Sequence, residues 1–205
     1  MPTLAFWYEF ASNYSYLSAR RIEALADEAG VTVVWRPFLL GPVFAAQGMT
    51  TSPFNLYPIK GRYMVRDMER QCAGFGKPFK VPEPFPQNGL LAARIALVGA
   101  GKAWGPAFTR AVYEAEFVDG KTISDKALLA DILTGLGEDA EAVLAAAEDP
   151  DNKAALKAQT EKGLEMGLFG APSFVTDDGE MFWGDDRLEQ ALYWAKTGSL
   201  EGFQG

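Results

Sequence analysis

The distribution of apolar positions predicts two strands and a helix at the start of the chain. Residues 4–10 are apolar and rich in aromatic side chains, which is typical of a buried strand. Apolar positions then recur at helical spacing from Tyr14 to Ala29, and Gly30 follows as a C-terminal cap. The β-branched and aromatic segment 31–36 predicts a second strand. This order indicates a right-handed parallel crossover.

The middle of the chain is predicted to be largely helical. Helical periodicity covers the segments 62–74, 88–101, 104–117, 124–135, 138–147 and 151–166. The predicted caps are Asn88, Ser124 and Asp151, and the predicted stop is Gly135. Prolines and glycines interrupt the pattern at residues 39–61 and 77–87, so both segments are predicted to be irregular connections. A connection as long as the first is more often functional than not.

Strand patterns return near the end of the chain. Residues 172–176 and 180–183 flank Asp178-Gly179, which predicts a hairpin, and residues 186–196 predict a closing helix. Strands therefore flank a helical block on both sides, which predicts one α/β domain interrupted by a helical insertion. The predicted discontinuous domain comprises residues 1–43 and 167–205, and the predicted insertion comprises residues 44–166.

Composition excludes several classes of function. The net charge of −8 over 205 residues argues against non-specific binding of nucleic acid, which needs a basic surface. No apolar stretch of about 18 residues and no signal-peptide pattern is present, so we expect a protein that does not bind membranes. Cys72 is the single cysteine, which excludes an internal disulfide and favours a cytoplasmic location.

The chain contains no histidine. This excludes serine–histidine and cysteine–histidine nucleophile pairs and histidine metal sites, and no metal site is predicted. Chemistry must therefore use serine, carboxylates, lysine, arginine, tyrosine or a bound cofactor. Cys72 lies among apolar neighbours on a helical pattern, so we interpret it as a buried packing residue.

The strongest candidate for chemistry is the corner where the first strand meets the first helix, Ser12-Asn13-Tyr14-Ser15. In a thioredoxin-like fold this corner holds a Cys-x-x-Cys pair, whereas here both ends of the motif are serine. Ser12 is either an N-cap, which is the commoner role, or a donor to an anion held at the helix N-terminus. If sulfur chemistry happens here, the sulfur must arrive with a ligand.

Two further motifs precede and follow the predicted hairpin. Pro172, after Ala171, is either an ordinary edge proline or a cis proline that leaves the Ala171 backbone exposed to a peptide-like ligand. Asp185 and Asp186 begin the closing helix, where one carboxylate serves as a cap. The other is free to bind an ammonium group of a ligand.

A basic helical face lies in the middle of the chain. Arg62, Arg66 and Arg70 are four residues apart, with Asp67 and Glu69 between them. The face is either solvated and paired with these acids, or a ridge that attracts an anionic substrate.

Taken together, these motifs resemble a known family. Phe-x-Ser-x-Tyr-Ser-Tyr-Leu at residues 10–17, Phe-Gly-Ala-Pro-Ser at residues 169–173 and Phe-Trp-Gly-Asp-Asp-Arg-Leu at residues 182–188 are similar to the 2-hydroxychromene-2-carboxylate isomerases and kappa-class glutathione transferases. Lys-Gly-Arg-Tyr-Met at residues 60–64 also fits. The resemblance departs at Asn13, where the family usually has proline.

The resemblance implies a thioredoxin-like fold of the DsbA and kappa class, an inserted all-helical domain and a homodimer. It also implies glutathione as the cofactor, with Ser12 as the catalytic residue that favours the glutathione thiolate. The implied glutathione-binding residues are Ser12, Asn13, Tyr14, Ala171, the cis Pro172, Asp185 and Asp186. The implied residues for a small anionic substrate are Asn55, Lys60, Arg62 and Trp183.

The functional expectation is a glutathione-dependent isomerase of a small unsaturated aromatic carboxylate, in which glutathione is not consumed. Two alternatives remain open. A kappa-type transferase or peroxidase would consume glutathione, and a non-catalytic thioredoxin-like binding domain would have no turnover.

Overall fold

The structure is a computed structural model that describes residues 1–204, and its centre is one mixed sheet. The strands are β1 (Thr3–Tyr8), β2 (Thr32–Pro37), β3 (Ser173–Thr176) and β4 (Met181–Trp183). Their order in the sheet is β2-β1-β3-β4, in which β1 and β2 are parallel and the other two pairs are antiparallel. The two ends of the chain therefore meet in one sheet, and β1 joins them.

Strand β1 is buried on both faces, as its nearly continuous apolar sequence predicts. Leu4, Phe6 and Tyr8 point to one face and belong to the main core. Trp7 points to the other face and packs against Phe38, with their ring centroids 5.9 Å apart. The residues after β1 are therefore held by contacts on both sides of the sheet.

The helices account for most of the remaining chain. They are α1 (Asn13–Ala19), α2 (Ile22–Ala29), α3 (Leu40–Ala46), α4 (Pro53–Leu56), α5 (Pro58–Gly74), α6 (Leu90–Val98), α7 (Trp104–Phe117), α8 (Lys126–Gly135), α9 (Ala140–Glu148), α10 (Pro150–Glu165) and α11 (Leu188–Thr197). A 3-10 helix at Asp185–Arg187 leads into α11. None of the helices in residues 1–204 combines the length and the apolar character needed to cross a membrane.

The single helix predicted from Tyr14 to Ala29 is wrong, because the structure divides it into α1 and α2 at Arg20 and Arg21. The Ser18 hydroxyl lies 3.2 Å from the Tyr14 carbonyl oxygen and 2.7 Å from Asp185 Oδ1. A hydroxyl that contacts the carbonyl four residues earlier bends a helix. The polar residues Ser18, Arg20 and Arg21 were visible in the sequence. Asp185, the partner of Ser18 that lies 167 residues away, could not be assigned to them.

The irregular connection predicted at residues 39–61 is wrong in part, because it contains α3, α4 and the start of α5. Pro53 and Pro58 occupy the first positions of α4 and α5, where a missing N–H costs nothing. All three predicted caps also differ from the structure. Gly89 is the N-cap of α6, although the Asn88 side chain accepts the Leu90 N–H at 3.0 Å. Asp125 and Asp149 cap α8 and α10, so the predicted Ser124 and Asp151 lie one residue before and two residues after the caps.

The strands and the helical segment share one hydrophobic core. Tyr8 and Phe10 lie with their ring centroids 6.3 and 5.2 Å from that of Tyr113 on α7. Tyr16 of α1 packs 5.4 Å from Phe117. The predicted boundary after residue 43 falls inside α3. The division into two domains stays a prediction.

Candidate active site

The chain turns sharply between β1 and α1, and this turn positions Ser12. The Ser12 N–H donates to the Glu9 carbonyl oxygen at 3.0 Å, and Ser12 Oγ accepts the Ser15 N–H at 3.2 Å. Ser12 is therefore the N-cap of α1, which confirms one of its two interpretations. Its hydroxyl proton is directed elsewhere, since Oγ donates to the Ala171 carbonyl oxygen at 3.0 Å.

Ala171 lies in the loop that precedes β3, and its bond to Pro172 is cis. Pro172 is buried, whereas Ala171 is partly exposed. Within residues 1–204 the Ala171 N–H has no hydrogen-bond acceptor. A free backbone donor thus lies beside a carbonyl that already contacts Ser12. A backbone N–H and carbonyl at an exposed edge are the groups with which an extended, peptide-like ligand pairs when it adds as a strand.

The first turn of α1 offers backbone donors without competing acids. The N–H groups of Asn13 and Tyr14 have no acceptor in the described part of the chain, and no acidic side chain lies in this turn. The Asn13 side chain is buried. Tyr14 Oη donates to Asp67 Oδ2 on α5 at 2.8 Å. Burial and the Asp67 carboxylate raise the pKa of Tyr14, which remains a neutral donor.

The acid pair at Asp185 and Asp186 divides into an internal and an exposed carboxylate. Asp185 is 2% exposed, and its two oxygens accept from Ser18 Oγ and from Arg21 Nη1, both at 2.7 Å. Burial raises the pKa of Asp185, although Arg21 and Ser18 oppose this shift. The Asp186 side chain is 66% exposed. The prediction that one of these carboxylates caps the closing helix is wrong, because Gly184 and Arg187 are the N-caps of the 3-10 helix and α11 and neither cap has a side-chain hydrogen bond. Asp186, 3.6 Å from Arg187 Nη1, is the exposed carboxylate of the pair, and Asp185 fixes the 3-10 helix to α1 and α2.

Gly184 joins Asp186 to the cis-proline loop. Its φ is +107°, a conformation that side-chain-bearing residues rarely adopt, and a Cβ added there would lie 2.5 Å from Asp186 Oδ1. The Gly184 N–H donates to the Pro172 carbonyl oxygen at 3.0 Å. Glycine is needed here because of this φ, since the exposed Asp186 side chain could move away from an added Cβ. Hydrogen bonds and the short segment after Gly184 thus connect Ser12, Ala171 and Asp186.

The predicted substrate residues fall into two groups. Asn55 and Arg62 line the same open groove of about 450 Å³, together with apolar side chains of α4 and α5. Lys60 is exposed and is not among the lining residues. Trp183 is half-exposed on β4, and its ring is tilted against that of Phe169 with the ring centroids 5.0 Å apart. The structure thus brings Asn55 and Arg62 together, while Trp183 lies next to the cis-proline loop.

The basic face of α5 is paired as one of its two interpretations predicts. Arg66 contacts Glu69 at 2.8 Å and Arg70 contacts Asp67 at 3.0 Å. Desolvation alone would raise the pKa of Asp67. Hydrogen bonds from Tyr14, Gln71 and Arg70 outweigh it, so the pKa of Asp67 is lowered. Arg62 makes no ion pair within residues 1–204, so it is the arginine of this face that remains available.

Cys72 is 1% exposed, and burial raises the pKa of its thiol to about 11. A buried thiol with a raised pKa is unreactive. This confirms its interpretation as a packing residue.

Two acids near the site were not predicted, Glu9 and Glu116. Glu9 Oε2 accepts the Ala11 N–H at 2.9 Å, and burial raises the pKa of Glu9 to about 8. Glu116 on α7 is fully buried, and within residues 1–204 neither of its carboxyl oxygens has a hydrogen-bond partner. Burial, and then the charge of Glu9, raise the pKa of Glu116 well above its usual range. The one signal in the sequence was an acid at the end of an otherwise apolar strand.

Comparison with known proteins agrees with this geometry. The model of the DSBA-like thioredoxin domain matches residues 3–193. The chain is 29% identical over 188 residues to a 2-hydroxychromene-2-carboxylate isomerase of Sphingobium xenophagum, with 91% of this chain and 94% of the relative covered. It is 24% identical over 202 residues to glutathione S-transferase kappa 2 of Caenorhabditis elegans, with 90% and 88% covered.

A solved structure shows the same similarity in three dimensions. The structure of a 2-hydroxychromene-2-carboxylate isomerase superposes with a TM-score of 0.83 at 26% identity, and the match covers 92% of this chain and 91% of the other. The expected thioredoxin-like fold is thereby confirmed. The relatives carry the two names to which the sequence motifs point, and both names denote enzymes.

Proposed function

The chain belongs to the family of DSBA-like thioredoxin domains, and on that premise we propose that it is a glutathione-dependent isomerase of a small unsaturated aromatic carboxylate. The contact between Ser12 Oγ and the Ala171 carbonyl oxygen carries this proposal. It brings a hydroxyl donor next to the partly exposed backbone of Ala171 in a corner that holds no thiol. The names of the relatives supply the reaction and the substrate class.

Glutathione fits the residues on this edge. Ala171 would pair with the backbone of the tripeptide through its free N–H and its carbonyl group. The exposed Asp186 carboxylate would accept from the ammonium group of the γ-glutamyl end. The free N–H groups of Asn13 and Tyr14 would face negative charge on the ligand. Bound glutathione would supply a thiolate that adds reversibly to an unsaturated substrate and thereby permits rotation about the former double bond.

Ser12 has one task in this proposal. Its hydroxyl would turn from the Ala171 carbonyl oxygen to the ligand sulfur while Oγ continues to cap α1. A hydrogen bond to the charged form of a titratable group favours that form, so the pKa of the bound thiol would fall. The serine itself needs no base for this task. The absence of histidine from the sequence agrees with such a mechanism.

The substrate carboxylate would bind in the groove that Asn55 and Arg62 line. A guanidinium suits a planar carboxylate because it donates two parallel hydrogen bonds, and the Asn55 amide would add one N–H donor. Trp183 would then contact the apolar part of the substrate beside the cis-proline loop. A homodimer belongs to the same proposal, and light scattering of the purified protein measures it directly.

The test is turnover of 2-hydroxychromene-2-carboxylate with glutathione present and absent. We expect isomerisation to its open-chain isomer only with glutathione, and an unchanged total of free thiol after many turnovers. Ser12→Ala should abolish most of the activity. Asp139→Ala, which removes the exposed cap of α9, is the matched control and should leave turnover intact. Turnover of equal rate without glutathione would overturn the proposal.

The kappa-class relative favours one second candidate, a glutathione transferase or peroxidase. The same edge would bind glutathione, but the tripeptide would be consumed as a conjugate or a disulfide. Counting free thiols with a generic electrophile and with an organic hydroperoxide distinguishes the two. Stoichiometric loss of thiol, with no isomerisation of the chromene, would favour the second candidate.

A further inference from the structure

Asp67 connects α5 to the first turn of α1. Tyr14 Oη donates to Asp67 Oδ2 at 2.8 Å, and Tyr14 lies two residues after Ser12 at the start of the same helix. The Asp67 side chain is only 19% exposed, so this contact lies between the two helices and not in open solvent. One hydrogen bond therefore ties the middle of α5 to the turn that carries Ser12.

The carboxylate of Asp67 is oriented by its own helix. Gln71 Nε2 donates to Oδ2 at 2.7 Å, and Arg70 Nη2 donates to Oδ1 at 3.0 Å. Residues three and four apart share one face of a helix, so both donors lie on the same side of α5 as Asp67. Three donors thus hold the carboxylate, two from α5 and one from Tyr14. The acceptor that Tyr14 meets therefore has a fixed place on α5.

Arg62 lies on the same continuous helix as Asp67. Helix α5 runs without a break from Pro58 to Gly74, so Arg62 precedes Asp67 by five residues, or about 7.5 Å along the helix axis. Arg62 lines the open groove that the proposed function assigns to the substrate carboxylate. A contact that fixes Asp67 against α1 therefore also sets where the backbone of Arg62 lies relative to that turn.

Other contacts hold α5 on the protein when this hydrogen bond is removed. Met68 and Cys72 are buried in the main core, and the Arg21 guanidinium lies over the ring of Phe75 just after the helix. All of these anchors lie on the C-terminal side of Asp67, whereas Arg62 lies on its N-terminal side. Loss of the Tyr14 contact should therefore shift the N-terminal half of α5 without unfolding the helix.

We propose that Asp67 is a positioning residue for the isomerisation, which acts through Tyr14 to set the place of Arg62 relative to Ser12. The inference rests on the proposed function, because it needs a ligand sulfur beside Ser12 and a substrate carboxylate at Arg62. Addition of the thiolate requires the sulfur and the unsaturated carbon to approach to about 3–3.5 Å. A shift of α5 would leave both ligands bound but would separate the reacting atoms.

The test is Tyr14→Phe, which removes the hydroxyl and keeps the ring and the backbone N–H. We expect kcat for 2-hydroxychromene-2-carboxylate to fall about tenfold, since a misplacement of about 1 Å can cost up to about 100-fold. The KM of this substrate and the Kd of glutathione should change by less than about twofold. Tyr193→Phe, which removes a hydroxyl that donates to the Glu201 carbonyl oxygen at 2.8 Å, is the matched control and should keep full turnover. An unchanged kcat in Tyr14→Phe would overturn the inference and leave the proposed function intact.

Alkylation of bound glutathione by iodoacetamide separates positioning from a loss of fold or of thiolate activation. This small neutral reagent needs no contact with Arg62, so its rate, with the protein in excess over glutathione, reports the bound thiolate alone. We expect equal rates and equal calorimetric stoichiometry for Tyr14→Phe and the wild type. A fall in this rate as large as the fall in kcat would overturn the inference. Failure of the wild type to bind glutathione would instead overturn the proposed function.

Two variants of Asp67 test the other partner of the contact. Asp67→Ala removes the acceptor while alanine favours the helix, so the fold should remain and kcat should fall about tenfold. Asp67→Asn keeps an oxygen that accepts from Tyr14 and should restore kcat to within about threefold of the wild type. The double variant Tyr14→Phe/Asp67→Ala should lose no more than either single variant, because both remove the same hydrogen bond. Losses that multiply in the double variant would show that the two residues act independently and would overturn the inference.

Discussion

Arg21 and Asp185 form a buried ion pair between the start of α2 and the 3-10 helix, with Nη1 and Oδ2 2.7 Å apart and only 9% and 2% of the side chains exposed. The guanidinium also contacts Glu189 and lies 3.9 Å above the ring of Phe75. One side chain thus connects the break between α1 and α2 to the segment that carries Asp186.

Removing one partner of this pair should strongly destabilise the fold. Asp185→Asn leaves a buried guanidinium without its main countercharge, and we expect a loss of about 3–5 kcal/mol in the free energy of unfolding. Urea denaturation measures it. Glu69→Gln is the matched control, because it breaks the exposed pair with Arg66 and should cost less than about 1 kcal/mol. Equal losses for the two variants would contradict the buried pairing.

Replacing Ser12 by alanine should separate its two contacts. The cap of α1 is lost, which costs about 1 kcal/mol, while most of the glutathione-dependent turnover disappears. Denaturation and turnover assays on the same preparation measure both. The fold should remain, since the core on both sides of β1 is untouched. Full turnover in Ser12→Ala would show that the hydroxyl does not act on the sulfur.

Asp186→Asn should weaken glutathione binding by roughly tenfold, because a charge-assisted hydrogen bond to an ammonium group is replaced by a neutral one. Calorimetry with glutathione at neutral pH measures the change. Glu180→Gln removes an exposed acid of the hairpin that precedes the 3-10 helix and should leave the affinity unchanged. An unaltered affinity in Asp186→Asn would mean that this carboxylate does not contact glutathione.

The stability of the protein should fall as the pH rises from about 5 to 8. Burial raises the pKa of Glu9 from 4.5 to about 8, and that of Glu116 well above its usual range, so the folded state retains protons that the unfolded state releases. Each carboxyl then lowers the free energy of unfolding by up to about 1.4 kcal/mol per pH unit, and the contribution of Glu9 levels off above about pH 8.

Urea titrations at several pH values measure this slope. Glu116→Gln, which keeps the volume but cannot ionise, should flatten it and should be more stable than the wild type at pH 8. A variant with the wild-type slope would show that Glu116 is not a buried neutral acid.

Much of the fold follows from local patterns in the sequence. The strands around Phe6 and Trp35, the helix at residues 104–117 and the Asp178-Gly179 turn all depend on periodicity and turn chemistry, which act over a few residues. The break at Arg20 and Arg21 did not follow from such patterns, since Ser18 and Arg21 on its two sides both contact the distant Asp185. The prolines were also ambiguous, because a proline that predicts an irregular connection can instead begin a helix, as Pro58 does in α5.

The candidate site likewise contains residues that local sequence patterns reveal and residues that only distant packing decides. Ser12 and Ala171 were found because the corner and the proline motif each have a local signature. The different tasks of Asp185 and Asp186 were not predictable, since only the packing of α1 against the 3-10 helix decides which carboxylate is buried. Glu116 has no signature at all. An acid within a helix is ordinarily solvated, and its burial depends on the strand that α7 covers.

The packing of Tyr8 and Phe10 against Tyr113 has a practical consequence for engineering. A fragment trimmed to the sheet and its flanking helices would expose these rings to water and aggregate. A chimera built to exchange substrate specificity between relatives should therefore take α7 and the β1 corner from the same parent, so that the packed side chains still match.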